Sequence, residues 1–236
     1  MALGPSWRTV ATMSDTAPEG FRQHRYRAPA DATTILLVRH GESAPAHPDR
    51  PFPLVDGHGD PPLHDNGHQQ ARALADRLVH EPIDAIYVTT LQRTHQTAAP
   101  LAAALGIEPV VEPELREVFL GSLEGGGLRV AAAAGDPVVR RVYTEQRWDV
   151  IPGAEPDLAF EARTVGAVRR LADAHRGQRI VAVVHGGVIG RVLASATASS
   201  GFAFAGADNA SISEIVVESG RIVVRRFNDT AHLDEA

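Results

Sequence analysis

Four side chains of this sequence, two arginines and two histidines, are of the cationic or nucleophilic types that act on phosphoryl groups. They are Arg39, His40, Arg93 and His185. An arginine fork donates to two phosphate oxygens at once, which lysine cannot do. Glycine follows both histidines, at Gly41 and at Gly186–Gly187, so the backbone can turn sharply there and present its amides to a ligand. If the fold brings these groups together, they form a site that binds a phosphoryl group.

Short apolar runs come before these residues. They are ILLV at 35–38, before Arg39; AIYV at 85–88, five residues before Arg93; and IVAVV at 180–184, before His185. Each run is continuous rather than alternating, which is typical of a strand covered on both faces in a parallel sheet. Ligands bind at the carboxyl ends of such strands. Charged residues also flank strands simply because strands end at the surface. That explanation is sufficient for any one of these positions, but it does not explain why all four occur together.

Helical patterns separate the predicted strands. Apolar residues recur on one face over about 66–80, over about 93–105 before Gly106, and over about 159–175. Near the end, two apolar runs around Ser219–Gly220 predict an antiparallel hairpin. This succession predicts an α/β fold, a three-layer α/β/α sandwich with a mostly parallel central sheet.

The chain is expected to consist of a tail and one domain. Residues 1–31 mix Pro, Gly, Ser, Asp and Arg without periodicity, which predicts a disordered or flexible N-terminal tail, and Met13 is an alternative start. Residues 32–236 are expected to form a single domain. Within it, the segment at about 121–157 matches no strand pattern and predicts a helical lid inserted over the sheet.

The composition disfavours several classes of protein. The 236 residues carry a net charge of −6, whereas nucleic-acid-binding domains usually carry a basic excess. No apolar run approaches the roughly 18 residues of a membrane span, and the N-terminus lacks the apolar core of a secretory signal. Cysteine is absent, which excludes disulfides and thiolate metal sites. We therefore expect a cytoplasmic protein with neither a nucleic-acid nor a membrane partner.

The segment RHGES at 39–43 resembles the signature of the histidine phosphatase superfamily, which includes the cofactor-dependent phosphoglycerate mutases. Five further blocks resemble family segments in the same order: DPPLHDNGHQQA at 60–71, TTLQRTHQTA at 89–98, LREVFLGSLEG at 115–125, IPGAEPDLAFEAR at 151–163 and VVHGGVIG at 183–190. His64 stands where the family has threonine, and Thr89 where it has serine. The resemblance covers roughly residues 33–228 and implies a phosphoglycerate mutase-like fold.

The resemblance also implies a role for each residue of the predicted site. His40 would be the nucleophile that takes the phosphoryl group. The phosphoryl oxygens would be held by Arg39, Arg93 and His185. Glu117 would donate a proton to the leaving oxygen and then act as base for the attacking water. Because this role needs the acid form, better turnover is expected at mildly acidic than at alkaline pH.

Other residues of the site have two interpretations each, or a supporting part. The Ser43 hydroxyl would either support the phosphate pocket or cap a helix, and the Gly186 amide would face the phosphate. Glu124, seven residues after Glu117, is a rival acid whose alternative role is structural hydrogen bonding. No metal or organic cofactor is implied, because the histidine itself carries the phosphoryl group.

Departures from the mutase pattern favour a phosphatase. Mutases of the family carry Arg-His-Tyr directly after the catalytic glutamate, where this chain has an apolar wall of Val118, Phe119 and Leu120. They carry Trp-Asn shortly after the signature serine, where this chain has Pro45 and Ala46. The resemblance thus implies a phosphatase of a small-molecule phosphomonoester. A phosphoglycerate mutase-like phosphotransferase and a non-catalytic phospho-ligand sensor are the alternatives, and a homodimer is the alternative to a monomer.

The remaining histidines and arginines have simpler interpretations. His58, His64 and His68 are candidates for a shared metal, but the turn-like Asp-Asn-Gly between the last two favours solvated side chains. His95 either faces the pocket or lies on the surface. The arginines of the predicted lid are expected to form a solvated face rather than to meet an acidic substrate; they are Arg129, Arg140, Arg141 and Arg147.

Overall fold

The computed structural model describes residues 23–234 of the chain. Most of the predicted tail, residues 1–22, lies outside the described residues, and residues 23–31 are exposed and contain neither helix nor strand. Among the described helices, none is long and apolar enough to cross a membrane.

Strands and helices alternate along the described residues. In chain order they are β1 (Thr33–Arg39), β2 (Leu54–Val55), β3 (His58–Gly59), α1 (Asp65–Leu78), β4 (Ala85–Val88), α2 (Gln92–Leu105), β5 (Val110–Val111), α3 (Gly127–Ala133), α4 (Pro137–Glu145), α5 (Asp157–Ala174), β6 (Arg179–Val184), α6 (Gly186–Thr197), β7 (Ile212–Glu218) and β8 (Arg221–Asp229). The strands and helices predicted from apolar periodicity are all present, with ends within a few residues of those expected.

Within residues 23–234, six strands form one sheet in the order β5, β4, β6, β1, β7, β8. The first four strands are parallel to one another. β7 is antiparallel to β1, and β8 is antiparallel to β7. The mostly parallel sheet is thus confirmed, and the predicted hairpin around Ser219–Gly220 is the β7–β8 pair.

Alternate side chains of the central strand β1 enter two separate cores. Ile35 and Leu37 pack on the side of α5 and α6, and Leu36 and Val38 on the side of α1 and α2. All four are at most 2% exposed. Because β1 is covered on both faces, its sequence is continuously apolar, and the predicted three-layer sandwich is confirmed.

Two helix ends show how the sequence sets the boundaries. α1 begins after His64, whose Nδ1 accepts a hydrogen bond from the Asn66 amide at 3.4 Å. The histidine that replaces the family's threonine therefore caps the helix and is not merely solvated. α2 ends at Gly106, which has a φ of 66°. That left-handed conformation suits glycine, as the prediction of a C-cap requires.

Some elements carry no sequence signal. The strands β2, β3 and β5 have two residues each, too few for a periodic pattern. The helix α6 is indicated only at its start, by the glycines that follow His185. The segment 121–157 contains α3 and α4, in agreement with its predicted helical content. Its role as a lid remains a prediction.

Candidate active site

Parallel pairing of β1 with β6 places the two predicted histidines side by side. Arg39 pairs with Val184 at the ends of the strands, and the His40 amide donates to the Val184 carbonyl at 3.0 Å. His40 and His185 therefore leave the sheet together, with ring centroids 5.2 Å apart. Neighbouring strands lie about 4.8 Å apart, so the sheet itself sets the distance between the rings.

His40 is 5% exposed and is held in one tautomer. Its Nδ1 lies 2.7 Å from the carbonyl oxygen of Gly41, and because a carbonyl only accepts, Nδ1 carries the proton and Nε2 the lone pair. Burial, followed by the charges of Arg93 and Arg39, lowers the pKa of His40 well below its ordinary value, although the bond to Gly41 raises it. The imidazole is therefore neutral near pH 7.

Arg39 and Arg93 are anchored by backbone carbonyls. Arg39 Nη1 donates to Ala207 at 2.5 Å, and Arg93 Nη1 donates to Gly59 at 3.0 Å. Burial lowers the pKa of both guanidinium groups, that of Arg93 to about 10, so both remain charged near pH 7. Arg39 Nε is buried and has no hydrogen-bond partner among the described residues. A buried donor of this kind indicates a place for an anionic acceptor.

His185 is fully buried, and its two ring nitrogens differ. Nε2 lies 3.1 Å from the Thr89 hydroxyl, whereas Nδ1 has no partner within the described part of the chain. Burial, followed by the charge of Arg93, lowers the pKa of His185 well below its ordinary value. When the Thr89 hydroxyl donates to Nε2, the neutral ring carries its proton on Nδ1 and can donate it to an anion. The threonine that replaces the family's serine therefore orients this ring.

Glu117 lies across from the histidines with both carboxylate oxygens engaged. Oε1 accepts from the Val118 amide at 3.0 Å, and Oε2 accepts from the backbone of α6 at Gly187. The carboxylate raises the pKa of both Arg39 and Arg93 against the effect of burial. It is therefore within electrostatic reach of the same two guanidinium groups that surround His40.

The glycine of the RHG signature is required by close packing. A Cβ at Gly41 would lie 2.6 Å from the carbonyl oxygen of Gly67 in α1. The Gly41 amide donates to the Thr97 hydroxyl at 2.9 Å. The expectation that this amide faces a ligand is therefore wrong, because α2 already engages it. The Gly187 amide is likewise engaged, by Glu117. Gly186 lines the cavity, and the contact of its amide with a phosphate stays a prediction.

Ser43 is buried and interacts with a residue that the sequence placed elsewhere. Its hydroxyl accepts a hydrogen bond from Arg129 Nη2 at 2.6 Å, and Arg129 Nη1 donates to the Ala44 carbonyl at 2.9 Å. Ser43 precedes no helix, so its capping alternative is wrong. The predicted exposure is confirmed for Arg129, Arg140, Arg141 and Arg147. Arg129 differs from the other three because it also lines the cavity.

Most of these residues line a cavity of about 470 Å³, whereas Ser43 and His185 are not among its lining residues. Its charged lining consists of Arg39, Arg93, Arg129, Glu117 and Glu124, with His40 and His58 beside them. Its larger apolar and aromatic lining includes Phe52, Val118, Leu120, Leu123, Leu128, Tyr143, Trp148 and Phe202. The cavity has room for an organic group as well as a phosphoryl group. The apolar wall expected at 118–120 contributes Val118 and Leu120.

His58 is the histidine whose environment differs most from expectation. It is 9% exposed rather than solvated, its Nδ1 lies 3.2 Å from the Asp56 carbonyl, and its Nε2 has no partner in the described residues. Its ring packs edge-on against Phe119 at 5.5 Å.

His95 is exposed, as one of its two interpretations required. Within residues 23–234, no group of three or more histidine, cysteine or acidic side chains is arranged to hold a metal ion.

Glu124 has a structural part. Its Oε2 accepts from the Gly59 amide and its Oε1 from the Leu120 amide, both at 2.8 Å. The carboxylate thus ties the β2–β3 hairpin to the turn that contains Leu120. This agrees with the hydrogen-bonding alternative to a role as acid.

Comparisons with known proteins agree with this geometry. The family model of the histidine phosphatase superfamily (branch 1) matches residues 35–230. The chain is 37% identical over 163 residues to phosphoglycerate mutase-like protein 4 of Arabidopsis thaliana, covering 67% of this chain and 69% of that protein. It is 32% identical over 204 residues to phosphoserine phosphatase 1 of Hydrogenobacter thermophilus, covering 85% of this chain and 94% of that one.

A solved structure adds a match in three dimensions. The native mycobacterial glucosyl-3-phosphoglycerate phosphatase superposes with a TM-score of 0.69 at 25% identity, covering 84% of this chain and 100% of that one. Sequence blocks, sheet order and the paired histidines lead to one conclusion. The chain belongs to the histidine phosphatase superfamily.

Proposed function

We propose that the protein is a metal-independent phosphatase that releases inorganic phosphate from a small-molecule phosphomonoester through a phosphohistidine at His40. The observation that carries the proposal is the tautomer of His40. Its Nδ1 lies 2.7 Å from the Gly41 carbonyl, which leaves Nε2 unprotonated beside Arg39 and Arg93. A neutral imidazole among fixed cations is suited to attack a phosphorus atom whose oxygens those cations hold.

In the first step, the Nε2 lone pair of His40 forms a bond to phosphorus as the ester P–O bond breaks. The electron pair of that bond goes to the alcohol oxygen, which takes a proton from Glu117. Arg39, Arg93 and the Nδ1–H of His185 hold the phosphoryl oxygens. Because the reaction transfers charge among these oxygens, positioning and electrostatic stabilisation make up most of the catalysis.

In the second step, water replaces the histidine. The Glu117 carboxylate takes a proton from water while the water oxygen bonds to phosphorus and the P–N bond breaks. Inorganic phosphate leaves, His40 regains its lone pair, and Glu117 is again an acid. Dividing the reaction in this way replaces one hard step with two easier ones.

The proposal is tested by trapping the intermediate. Protein mixed with a ³²P-labelled ester and quenched in alkali should carry acid-labile, alkali-stable label on His40. A His40→Ala variant should lose both the label and phosphate release. His68→Ala is the matched control, because His68 is exposed at the start of α1, and it should keep both. Turnover without label on His40 would overturn the proposed mechanism.

The products of the reaction separate the two alternatives, because a phosphotransferase would also carry the label on its histidine. The similarity to a phosphoglycerate mutase-like protein keeps a phosphotransferase as the second candidate, and it would appear as interconversion of 2- and 3-phosphoglycerate without net phosphate release. A sensor would bind phosphate and turn over nothing. The apolar residues Val118 and Leu120 in the cavity wall speak against a mutase, which must hold a phosphorylated acid in two orientations.

Two further properties are part of the proposal. A cytoplasmic location is supported by the absence of cysteine from the sequence, which suits a reducing compartment, and cell fractionation tests it. A homodimer is supported by the exposed edge strand β5, where Val110 is 52% and Val111 45% exposed. Light scattering coupled to size-exclusion chromatography distinguishes the dimer from a monomer.

A further inference from the structure

The charged side chains of the cavity are concentrated at one end. Arg39 directly precedes His40, Arg129 donates to the hydroxyl of Ser43, and Arg93 donates to the Gly59 carbonyl. Glu124 accepts from the amide of the same Gly59, and Glu117 accepts from the amide of Gly187, two residues after His185. Every charged residue that lines the cavity is therefore accounted for where the phosphoryl group would bind.

Among the described residues, the rest of the cavity lining has no arginine, lysine or carboxylate side chain. We call its large apolar and aromatic side chains the distal wall and define it by Phe52, Leu123, Leu128, Tyr143, Trp148 and Phe202. Arg191, whose guanidinium nitrogens would lie 3.6 Å from a Cβ at Gly201 in the same lining, is already paired with Asp157 and Glu161. A charged group placed against it would lose its water without gaining a partner, which is costly.

Three aromatic rings on one side of the distal wall pack together although they come from separate segments. The Trp148 and Phe202 rings are 5.0 Å apart, and the Tyr143 and Phe202 rings are 6.1 Å apart, centroid to centroid. Trp148 follows α4, and its amide donates to Asp157 Oδ1 at 3.1 Å. Asp157 is in turn paired with the buried Arg191 of α6. The backbone of Trp148 is therefore tied to the core by polar contacts, whereas Tyr143 is 59% exposed.

The other side of the distal wall is fixed by close backbone packing. The Phe52 amide donates to the Gly125 carbonyl at 2.9 Å, and a Cβ at Gly126 would lie 2.9 Å from the Phe52 ring. Leu123 and Leu128 stand on either side of these glycines in the chain. Both sides of the wall are thus built in place, which is what a preformed binding surface requires.

We infer that the distal wall selects phosphomonoesters whose alcohol is uncharged and apolar, with an aromatic group in contact with the Tyr143, Trp148 and Phe202 rings. This inference rests on the proposed function, since the phosphoryl group must be bound at His40. It separates the chain from the phosphoserine phosphatase that it resembles, because phosphoserine would place an ammonium and a carboxylate group against the wall.

The first test compares three primary alkyl phosphates, so that the leaving groups are of one kind. They are 2-phenylethyl phosphate, O-phosphoserine and 3-phosphoglycerate. Phosphate release should give a kcat/KM for 2-phenylethyl phosphate about 10- to 100-fold above that for either charged ester, the range that differential pocket contacts provide. Equal or better turnover of O-phosphoserine would overturn the inference and leave the proposed function standing.

Variants of the wall supply the second test. Leu123→Lys should lower kcat/KM for 2-phenylethyl phosphate and raise it for 3-phosphoglycerate, each by about tenfold, because the ammonium group gives the carboxylate a partner. Leu123→Met keeps the volume and should leave the ratio of the two substrates unchanged. If Leu123→Lys moves neither substrate, the inference fails.

A third variant examines the aromatic cluster. Trp148→Ala should raise KM for 2-phenylethyl phosphate about tenfold, while inhibition by vanadate, which needs only the cationic end, stays unchanged. Tyr26→Ala is the matched aromatic control, because the Tyr26 ring is stacked 3.8 Å from the Arg225 guanidinium carbon, away from this cavity. Unchanged KM in Trp148→Ala overturns the inference. If the unsubstituted protein neither releases phosphate from any of these esters nor binds vanadate, the proposed function fails, and the inference fails with it.

Discussion

Glu117 and Gly187 are joined by a hydrogen bond of 3.1 Å between the carboxylate Oε2 and the backbone amide. This contact ties the proposed general acid to the first turn of α6, directly after His185. Glu117 and the start of α6 are therefore held together, although 70 residues separate Glu117 from Gly187 in the chain. The Glu117 carboxylate lies so close to the backbone of α6 that a Cβ at Gly187 would overlap Glu117 Oε1.

Gly187→Ala should consequently lower kcat by about 100-fold, because a displacement of about 1 Å at a catalytic group costs that much. Unfolding in urea should show little change in overall stability if the carboxylate alone moves. Gly166→Ala in α5 is the control, since its Cβ would meet only Arg170 Nη1, at 3.6 Å. That variant should keep full activity and gain about 0.5–1 kcal/mol. Full activity of Gly187→Ala would contradict the proposed placement of the acid.

Glu117→Gln should slow the enzyme in a way that depends on the leaving group. Alkyl phosphates need a proton on the departing oxygen, so kcat should fall by about 10²- to 10⁴-fold. For 4-nitrophenyl phosphate, whose leaving group is already stable as an anion, the loss should be much smaller. Steady-state kinetics on both esters measures the difference, with Glu145→Gln on the exposed face of α4 as control. Equal losses on both esters would remove Glu117 from the role of acid.

The dependence of activity on pH follows from the lowered pKa of His40. The reactive form is the neutral ring, and burial with Arg93 and Arg39 keeps the pKa well below the ordinary value of about 6.5. Mild acidification therefore leaves the nucleophile neutral. Because the leaving oxygen of an alkyl ester needs a proton from an acid, we expect kcat to be higher at pH 6.5 than at pH 8.5. A profile that is flat or rises with pH would count against this pairing of nucleophile and acid.

Stability should change with pH in the opposite sense. The pKa of His40 and that of His185 are lowered in the folded protein, so below pH 6.5 the unfolded chain binds more protons. The free energy of unfolding should fall on acidification by up to about 1.4 kcal/mol per pH unit for each ring. His232, whose pKa burial also lowers, acts in the same direction. Urea unfolding at pH 7.5, 6.5 and 5.5 measures the slope, and His40→Gln should reduce it. An unchanged slope would show that His40 is not buried in the neutral form.

Arg129 should matter to catalysis although it lies in an alanine-rich helix. Its guanidinium lies near His40 and donates to the Ser43 hydroxyl at 2.6 Å. Arg129→Met should therefore weaken vanadate inhibition and lower kcat/KM by about tenfold, as expected for one charge-assisted contact. Arg140→Met in the next helix is the control, because Arg140 is exposed. If both variants behave alike, Arg129 has no part in the site.

The parts of the fold that the sequence predicts are those in which one pattern decides the structure. Strand β1 is buried on both faces and so is apolar at every position from Ile35 to Val38. Because parallel strands end at a common edge, Arg39, His40 and His185 could be placed together from such patterns alone. A continuous apolar run was sufficient there, because consecutive residues alone indicate both that the strand is buried and where it ends.

Other parts depend on contacts between distant segments. Arg129 reaches Ser43 across 86 residues, and its own helix otherwise carries only glycine, leucine, valine and alanine. His58 belongs to the β2–β3 hairpin of two-residue strands. It is buried because its ring packs against Phe119 and because the Glu124–Gly59 hydrogen bond holds the hairpin in place. No local pattern records such contacts. The residues that line the substrate side of the cavity were therefore the least predictable.

The β1–β6 register has a consequence for how such a molecule can change. The spacing of the histidines is inherited from hydrogen-bonded strands, whereas Tyr143, Trp148 and Phe202 come from segments outside the sheet. Reactivity and selectivity are thus encoded in separable stretches of the gene. Replacing Tyr143, Trp148 and Phe202 while keeping Arg129 offers a route to new phosphatases in which the catalytic residues are unchanged and only the choice of alcohol differs.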